Sequence, residues 1–278
     1  MSERIDSHHH LWAINDSDYV WMTDAHQVIR RNFLLPEMQA AFAAGGIDGS
    51  VVVQARQMLE ETHWLLELAE RSPQIRGVVG WVPLCEQAGE PHLERFAAYQ
   101  ALKGVRHVVH DEPDDDFILR ADFNEGVSRL KTYGLLYDIL IFWKHLPQTI
   151  RFVDRHPEQA FVVDHIAKPR IAKAGFDQEW AAGIRELAKR PQVSIKVSGM
   201  LTEVRDAQWD LKLLQPYFDT VFEAFGPERV MYGSDWPVLL LREPYDVWAR
   251  TAEQLSAVLS DDEKAAFWGG NAARIYGL

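Results

Sequence analysis

Phe161-Val-Val-Asp-His-Ile-Ala-Lys-Pro169 is an apolar run that stops abruptly at ionisable residues. A strand with one face in water alternates apolar and polar side chains. One that is apolar at consecutive positions is buried on both faces, as in a parallel sheet flanked by helices. Gly49-Ser-Val-Val-Val-Gln54 repeats the pattern. Working outward, strands are expected at Arg4–His8, Gly49–Gln54, Gly77–Pro83, Gly104–Val109, Leu135–Ile141, Ala160–His165, Val193–Val197 and Val230–Ser234. Amphipathic stretches between them read as helices: Glu37–Ala44, Glu60–Arg71, His92–Tyr99, Asp122–Tyr133, Pro147–His156, Gln178–Lys189 and Leu213–Phe225. An eighth runs from Tyr245 to Leu259, and a short tail helix follows Asp261. Gly45-Gly46, Pro73, Gly134, Pro157, Pro191 and Gly226-Pro227 separate each helix from the next strand.

Strand and helix alternating eight times predict an α/β fold of the (β/α)8, TIM-type barrel class. The rival, a doubly wound open sheet, needs a glycine-rich phosphate turn after its first strand, and His8-His-His-Leu-Trp12 stands there instead. No linker rich in Pro, Gly or Ser interrupts the chain, so residues 1–278 read as one domain.

Composition narrows the chemistry. Lys and Arg number 29 against 41 Asp and Glu, a net charge of −12 with no basic run, which argues against a nucleic-acid surface. The single cysteine, Cys85, excludes an internal disulfide, a cysteine-rich zinc site and an iron–sulfur cluster. Any metal must therefore be held by His, Asp or Glu. The charged, polar start predicts no signal peptide, and no apolar stretch is long enough to span a membrane. The expectation is a cytoplasmic enzyme or binding protein.

Residues 11–36 form a first βα connection far longer than the usual 2–6 residues; in a barrel such a loop roofs the site and is a candidate lid. Polar residues at strand ends carry the functional signal. His8 and His10 alternate onto one face with His9 on the other, and Asp6 reads in phase with the pair. Strand four ends in Arg106, able to bind a carbonyl or carboxylate, or to form a rim salt bridge. Strand six offers Asp164, His165 and Lys168, and strand seven Lys196 and Ser198. Strand eight offers Asp235, as a functional carboxylate or a cap on the next turn. Together His8, His10, His165 and Asp235 fit one shared pocket.

Asp6-Ser-His-His-His-Leu-Trp, Gly104-Val-Arg-His, Asp164-His-Ile-Ala-Lys-Pro, Lys196-Val-Ser-Gly, Tyr232-Gly-Ser-Asp-Trp-Pro and the tail Trp268-Gly-Gly-Asn-Ala-Ala-Arg-Ile-Tyr-Gly together resemble the amidohydrolase superfamily. More narrowly, they resemble its amidohydrolase-2 branch, which includes sugar lactonases acting on fuconolactone and rhamnonolactone. The resemblance covers essentially the whole chain. It implies a somewhat distorted barrel with a C-terminal helical tail, in which His8 and His10 match the first-strand pair, His165 the sixth-strand histidine and Asp235 the eighth-strand aspartate. It implies a hydrolase acting on a carboxylic ester, with a sugar-derived lactone as its small-molecule partner.

On that reading Asp235 is the general base, taking a proton from the attacking water and passing it to the ring oxygen. His8, His10 and His165 orient it, or hold one divalent, zinc-type ion with Asp235, no metal being obligatory. Arg106 faces the oxyanion. Trp12, Trp21, Trp143 and Trp236 follow or enter βα loops, where an indole can cover a sugar ring, and Lys168 and Ser198 add polar contacts. One strand-end arginine and a net charge of −12 favour a neutral polyol lactone. Two alternatives keep the barrel: metal-dependent non-oxidative decarboxylation, and sugar binding without catalysis. Phe267-Trp268 in the tail can form a homo-oligomer interface or cap the barrel.

Overall fold

The computed structural model describes residues 3–15, 18–19, 22–86 and 89–278. Eight parallel strands lie in chain order: β1 (Ile5–His9), β2 (Gly49–Val53), β3 (Ile75–Gly80), β4 (Leu102–Val108), β5 (Leu136–Leu140), β6 (Phe161–Val163), β7 (Val193–Val197) and β8 (Val230–Tyr232). The sheet closes through the residues just past β8: Asp235 N donates to His8 O at 2.8 Å and His10 N to Trp236 O at 2.7 Å. Eight helices connect or follow the strands: α1 (Leu35–Gly45), α2 (Leu59–Arg71), α3 (Gly89–Ala97), α4 (Ala121–Leu130), α5 (Leu146–Arg155), α6 (Gln178–Leu187), α7 (Leu211–Phe225) and α8 (Tyr245–Leu255). The chain is a (β/α)8 barrel, as its rhythm predicts.

The alternation of each strand sorts its side chains between two cores. Val52, Val78, Tyr137, Ile139, Val163, Ile195 and Tyr232 face outward into the shell between strands and helices. Ile5, Val51, Val53, Val79, Leu136, Val162 and Met231 face inward and fill the base of the barrel. At about 25 cal/mol per Å² of apolar surface removed from water, these two cores supply the main drive for folding. Above the apolar base the inward positions turn polar, with Asp138, Arg106, Lys196 and His8 all buried.

One expectation of phase fails. The β1–β2 register shifts between Asp6 and His9, so Asp6 leaves the face shared by His8 and His10. Its carboxylate accepts from Ser234 N at 2.9 Å, Ser234 Oγ at 2.5 Å and the Tyr245 hydroxyl of α8 at 2.8 Å. It is a fastener between β1, the end of β8 and α8, and burial pushes its carboxyl up to about 6.

The tail continues as α9 (Asp261–Ala265), a π turn (Ala266–Gly270) and α10 (Asn271–Tyr276). Ala272 and Tyr276 close the base of the barrel. Gly269 allows this approach, since a Cβ there would lie 2.1 Å from Glu3 O. Phe267 and Trp268 are buried within the chain against Tyr232, so the tail aromatics are barrel cap rather than exposed surface.

The long first loop is pinned at its ends and middle. Trp12 and Phe33 exchange backbone hydrogen bonds at 2.9 Å in each direction. Arg56, just after β2, pairs with Asp18 of the loop and with Glu61 of α2, and lies over the Tyr19 ring at 5.1 Å. No helix among the described residues is long and apolar enough to cross a membrane.

Candidate active site

At the carboxyl ends of the strands a cavity of about 340 Å³ opens, walled by His10, Trp12, Arg106, His165, Lys168 and Asp235 among others. That volume matches one monosaccharide-sized molecule with some water, at the lower end of ligand pockets. The floor is a ring of imidazoles about one carboxylate oxygen: Asp235 Oδ1 lies 3.2 Å from His10 Nε2, 3.8 Å from His165 Nε2 and 3.9 Å from His8 Nε2.

Neighbours fix which atoms these imidazoles present. The Val53 carbonyl can only accept, so His10 Nδ1 donates to it at 2.8 Å and turns its Nε2 lone pair into the site. Asp164 Oδ1 likewise accepts from His8 Nδ1 at 3.1 Å, leaving His8 Nε2 as a lone pair 3.3 Å from His10 Nε2. Ser198 Oγ holds His165 Nδ1 at 2.9 Å. Burial pushes His8 and His165 well below the usual imidazole range, with Lys196 and His10 adding to the effect on His8, and His8 and Lys168 to that on His165. His8 and His10 therefore offer Nε2 lone pairs beside the Asp235 carboxylate, with His165 Nε2 3.8 Å from it, a donor set of nitrogen and oxygen that suits a zinc-type ion. Two groups have ligand atoms within 4.8 Å of one another, His8–His10–Asp235 and His8–Asp164–His165.

His165 reaches the site by an unusual backbone. His165, Ile166, Ala167 and Lys168 have φ of 53°, 47°, 61° and 48°, one left-handed turn without glycine. Each such residue costs about 1–2 kcal/mol. Packing offsets the cost, because Ile166 and Ala167 are fully buried and Trp180 Nε1 donates to Ile166 O at 2.6 Å. The turn swings His165 inward directly after Asp164 and carries Lys168 to the cavity wall. Asp235 also has a positive φ, 59°. Its carboxylate meets imidazoles, not the backbone of the next turn, which answers the capping alternative.

Arg106 is buried, not a rim residue. Its Nη1 donates to Asp164 Oδ2 at 3.0 Å and to His8 Nε2 at 3.3 Å; its Nη2 donates to Gln54 O and, at 3.3 Å, to Gln54 Oε1. Below it Lys196 Nζ donates to Asp138 Oδ2 at 2.6 Å and Asp164 Oδ1 at 3.0 Å. Burial alone would raise the Asp164 carboxyl, but Lys196, His8 and Arg106 outweigh it and hold it well below the usual carboxylate range.

The structure thus brings His8, His10, His165, Asp235, Arg106, Trp12 and Lys168 together. Lys168 is paired with Glu203 at 3.0 Å. Ser198 stands behind His165 and does not line the cavity. Trp143 stacks beneath Arg170, 3.6 Å from its guanidinium carbon, and Trp236 packs edge-on against Phe33; neither lines the cavity. Trp21 lies outside the described residues. Sequence reading passed over Gln54 and His110, the latter a cavity residue. Both end apolar strand runs, the same signal that marked Arg106. His26 of the first loop, also in the wall, had no such signal.

The amidohydrolase family model matches residues 5–278. An L-fucono-1,5-lactonase of Burkholderia multivorans is 40% identical over 293 residues, covering 99% of this chain and 96% of that protein. An L-fucono-1,5-lactonase of Burkholderia ambifaria is 34% identical over 280 residues, with the same coverage of 99% and 96%. A crystal structure of a Burkholderia multivorans amidohydrolase with bound zinc superposes with a TM-score of 0.93 at 39% identity over the full length of both chains.

Proposed function

The chain belongs to the amidohydrolase family, and we propose that it is a hydrolase that opens a neutral, sugar-derived lactone of the fuconolactone or rhamnonolactone type to the aldonic acid. The observation that carries this reading is 40% identity to an L-fucono-1,5-lactonase over 99% of the chain. The cavity, sized for one sugar ring and floored by Asp235 amid three imidazoles, supports it.

In this reading Asp235 takes a proton from a water poised at the carbonyl carbon. The water oxygen bonds to that carbon as the carbonyl π pair moves onto oxygen. The oxyanion then collapses, the bond to the ring oxygen breaks, and Asp235 returns the proton to that oxygen. His10 Nε2, the nearest imidazole atom at 3.2 Å from the carboxylate, accepts a hydrogen bond from the water and so orients it beside Asp235. Arg106 supplies the oxyanion donor. Its two 3.3 Å hydrogen bonds, to His8 Nε2 and Gln54 Oε1, are long enough to be exchanged for a stronger one, worth about 3–4 kcal/mol in the transition state. Trp12 lines one side of the cavity, where its ring can cover the apolar face of the sugar.

His8, His10 and Asp235, with His165 at the edge, are the residues that would hold one divalent ion. Such an ion supplies Lewis-acid polarisation and an acidified water when bound; the proton steps assigned to Asp235 stand without it. The test is a panel of aldonolactones followed by acid release, with and without chelator. Release above background on a neutral sugar lactone is expected. No release on any of them would refute the substrate class, and activity surviving complete metal removal would exclude the decarboxylase alternative.

A further inference from the structure

Among the described residues that wall the cavity, Arg106 and Lys168 carry the ammonium and guanidinium groups, and each already has a carboxylate partner. Arg106 pairs with Asp164 at 3.0 Å. Asp164 is shared with Lys196, which Asp138 balances in turn. Lys168 Nζ lies 3.0 Å from Glu203 Oε1, with only 17% and 19% of the two side chains exposed. Two further carboxylates, Asp235 at the floor and Asp111 at the rim, line the same space. The ion pairs cancel, and the charge left over is negative.

The fold holds the Lys168–Glu203 pair in place from both sides. Lys168 ends the left-handed turn after β6, its N donating to His165 O at 2.8 Å, and its ammonium stands 5.8 Å from the centre of the Phe142 ring. Glu203 lies on the connection from β7 to α7, anchored by the buried Met200 and Leu201. Backbone fastens the two connections together: Arg205 N donates to Ile171 O at 2.9 Å, and Ile171 pairs with Val204. Glu203 stands behind Lys168 and is not part of the cavity wall, so it acts on a bound molecule only through the ammonium.

We propose that Glu203 is a specificity-determining residue: by neutralising Lys168 it makes the cavity select uncharged lactones over lactones that bear a carboxylate, and lets the acid product go. The inference rests on the lactonase reading above and deepens it. An unpaired ammonium in that wall would hold a carboxylate on the substrate. It would equally hold the aldonate, because ring opening turns a neutral molecule into an anion. With Glu203 in place Lys168 can still donate to a sugar hydroxyl but offers no net charge, and Asp111 and Asp235 repel an anion. Selectivity of this kind comes from what the site refuses as much as from what it holds.

The test compares kcat/KM on two lactones: the neutral aldonolactone that wild type opens fastest, and the aldarolactone of the same sugar, which carries a carboxylate at its far end. Wild type should prefer the neutral ring. Glu203→Gln, which bares the ammonium, should shift the ratio toward the aldarolactone by about 10- to 100-fold and tighten inhibition by the aldonate. Lys168→Gln/Glu203→Gln, which removes the two charges together, should restore the wild-type preference. A wild type without that preference overturns the proposal, as does an unchanged ratio in Glu203→Gln. A shift that persists in the double variant also overturns it, since shape rather than charge would then be the cause. If Glu203→Gln does not fold, Lys168→Gln leaves the Glu203 carboxylate bare and must move the ratio further toward the neutral lactone; any other result overturns the proposal. In a chain that opens no lactone, calorimetric titration with sodium gluconate reads the same charge. Tighter binding by Glu203→Gln than by wild type would then leave this inference standing while the lactonase reading falls, and equal binding would overturn both.

Discussion

Gly199 offers a sharp test of whether the position of His165 matters to the chemistry. It follows Ser198 with φ +62°, and a Cβ built on it would lie 2.8 Å from His165 Nδ1 and 2.9 Å from Cγ. Ordinary contact begins at 3.4 Å, so Gly199→Ala must displace the ring by the difference, 3.4 minus 2.8, about 0.6 Å. That shift breaks the 2.9 Å hydrogen bond to Ser198 and moves His165 relative to Asp235. A misplacement of about 1 Å costs roughly a hundredfold in rate, so a loss of about 10- to 100-fold in kcat/KM is expected. The left-handed backbone adds about 1–2 kcal/mol of lost stability. Gly134 provides the control: its φ is +66°, and a methyl group added there would meet nothing within 4 Å. Gly134→Ala should show the same stability loss in urea denaturation with unchanged turnover of whichever aldonolactone the wild type opens. Full activity in Gly199→Ala, or equal activity losses in both variants, would refute the reasoning.

Asp235→Asn should fall about 10²–10⁴-fold in turnover while remaining folded, because Asn tolerates the left-handed φ of 59°; retained turnover would remove Asp235 from the role of base. His9 is buried and pushed down to about 3 by burial, so the native state keeps it neutral while the unfolded chain protonates it near 6.5. Its contribution to stability is complete above pH 6.5 and is lost as pH falls toward 3, at about 1.4 kcal/mol per pH unit. Between pH 6.5 and 5 that amounts to about 2 kcal/mol, which urea titrations of wild type should show and His9→Gln should lack. Arg56→Ala leaves the fully buried Glu61 without its guanidinium, with an expected loss of about 3 kcal/mol; a loss below about 1 kcal/mol would mean that the Ala55 and Arg56 amides suffice to hold the carboxylate.

The barrel was legible because its physics is local. Consecutive apolar residues in Val51–Val53 and Phe161–Val163 announce strands covered on both sides, and the punctuation between helix and strand sets the rhythm. The same logic located His8, His10, Arg106 and Asp235, since an ionisable side chain at the end of a buried strand needs a partner or a task. Boundaries shifted by a few residues. At β6 the apolar run up to His165 shortened to Phe161–Val163, because a left-handed turn begins where a longer strand was expected.

What sequence could not carry was phase and company. Nothing in Asp6-Ser-His-His-His10 betrays the register shift that turns Asp6 out of the barrel, and nothing in His165-Ile-Ala-Lys168 announces a left-handed turn, which exists only because Trp180 and the surrounding core hold it. The indoles of Trp143 and Trp236 stood in suggestive loops, but burial against Arg170 and Phe33 takes them from the cavity. Lys196 reads in the sequence as a polar strand-end residue beside Ser198, and nothing in Tyr137-Asp-Ile-Leu-Ile141 marks Asp138 as its partner. Their pairing is set by which strands the closed barrel sets side by side. The class of fold and the residue types at the strand ends are local properties of the chain, because alternation and burial act over a few neighbouring residues. Which of those residues meet is a property of the closed barrel, since charge pairing in a dry interior depends on separations of a few ångströms between strands distant along the chain.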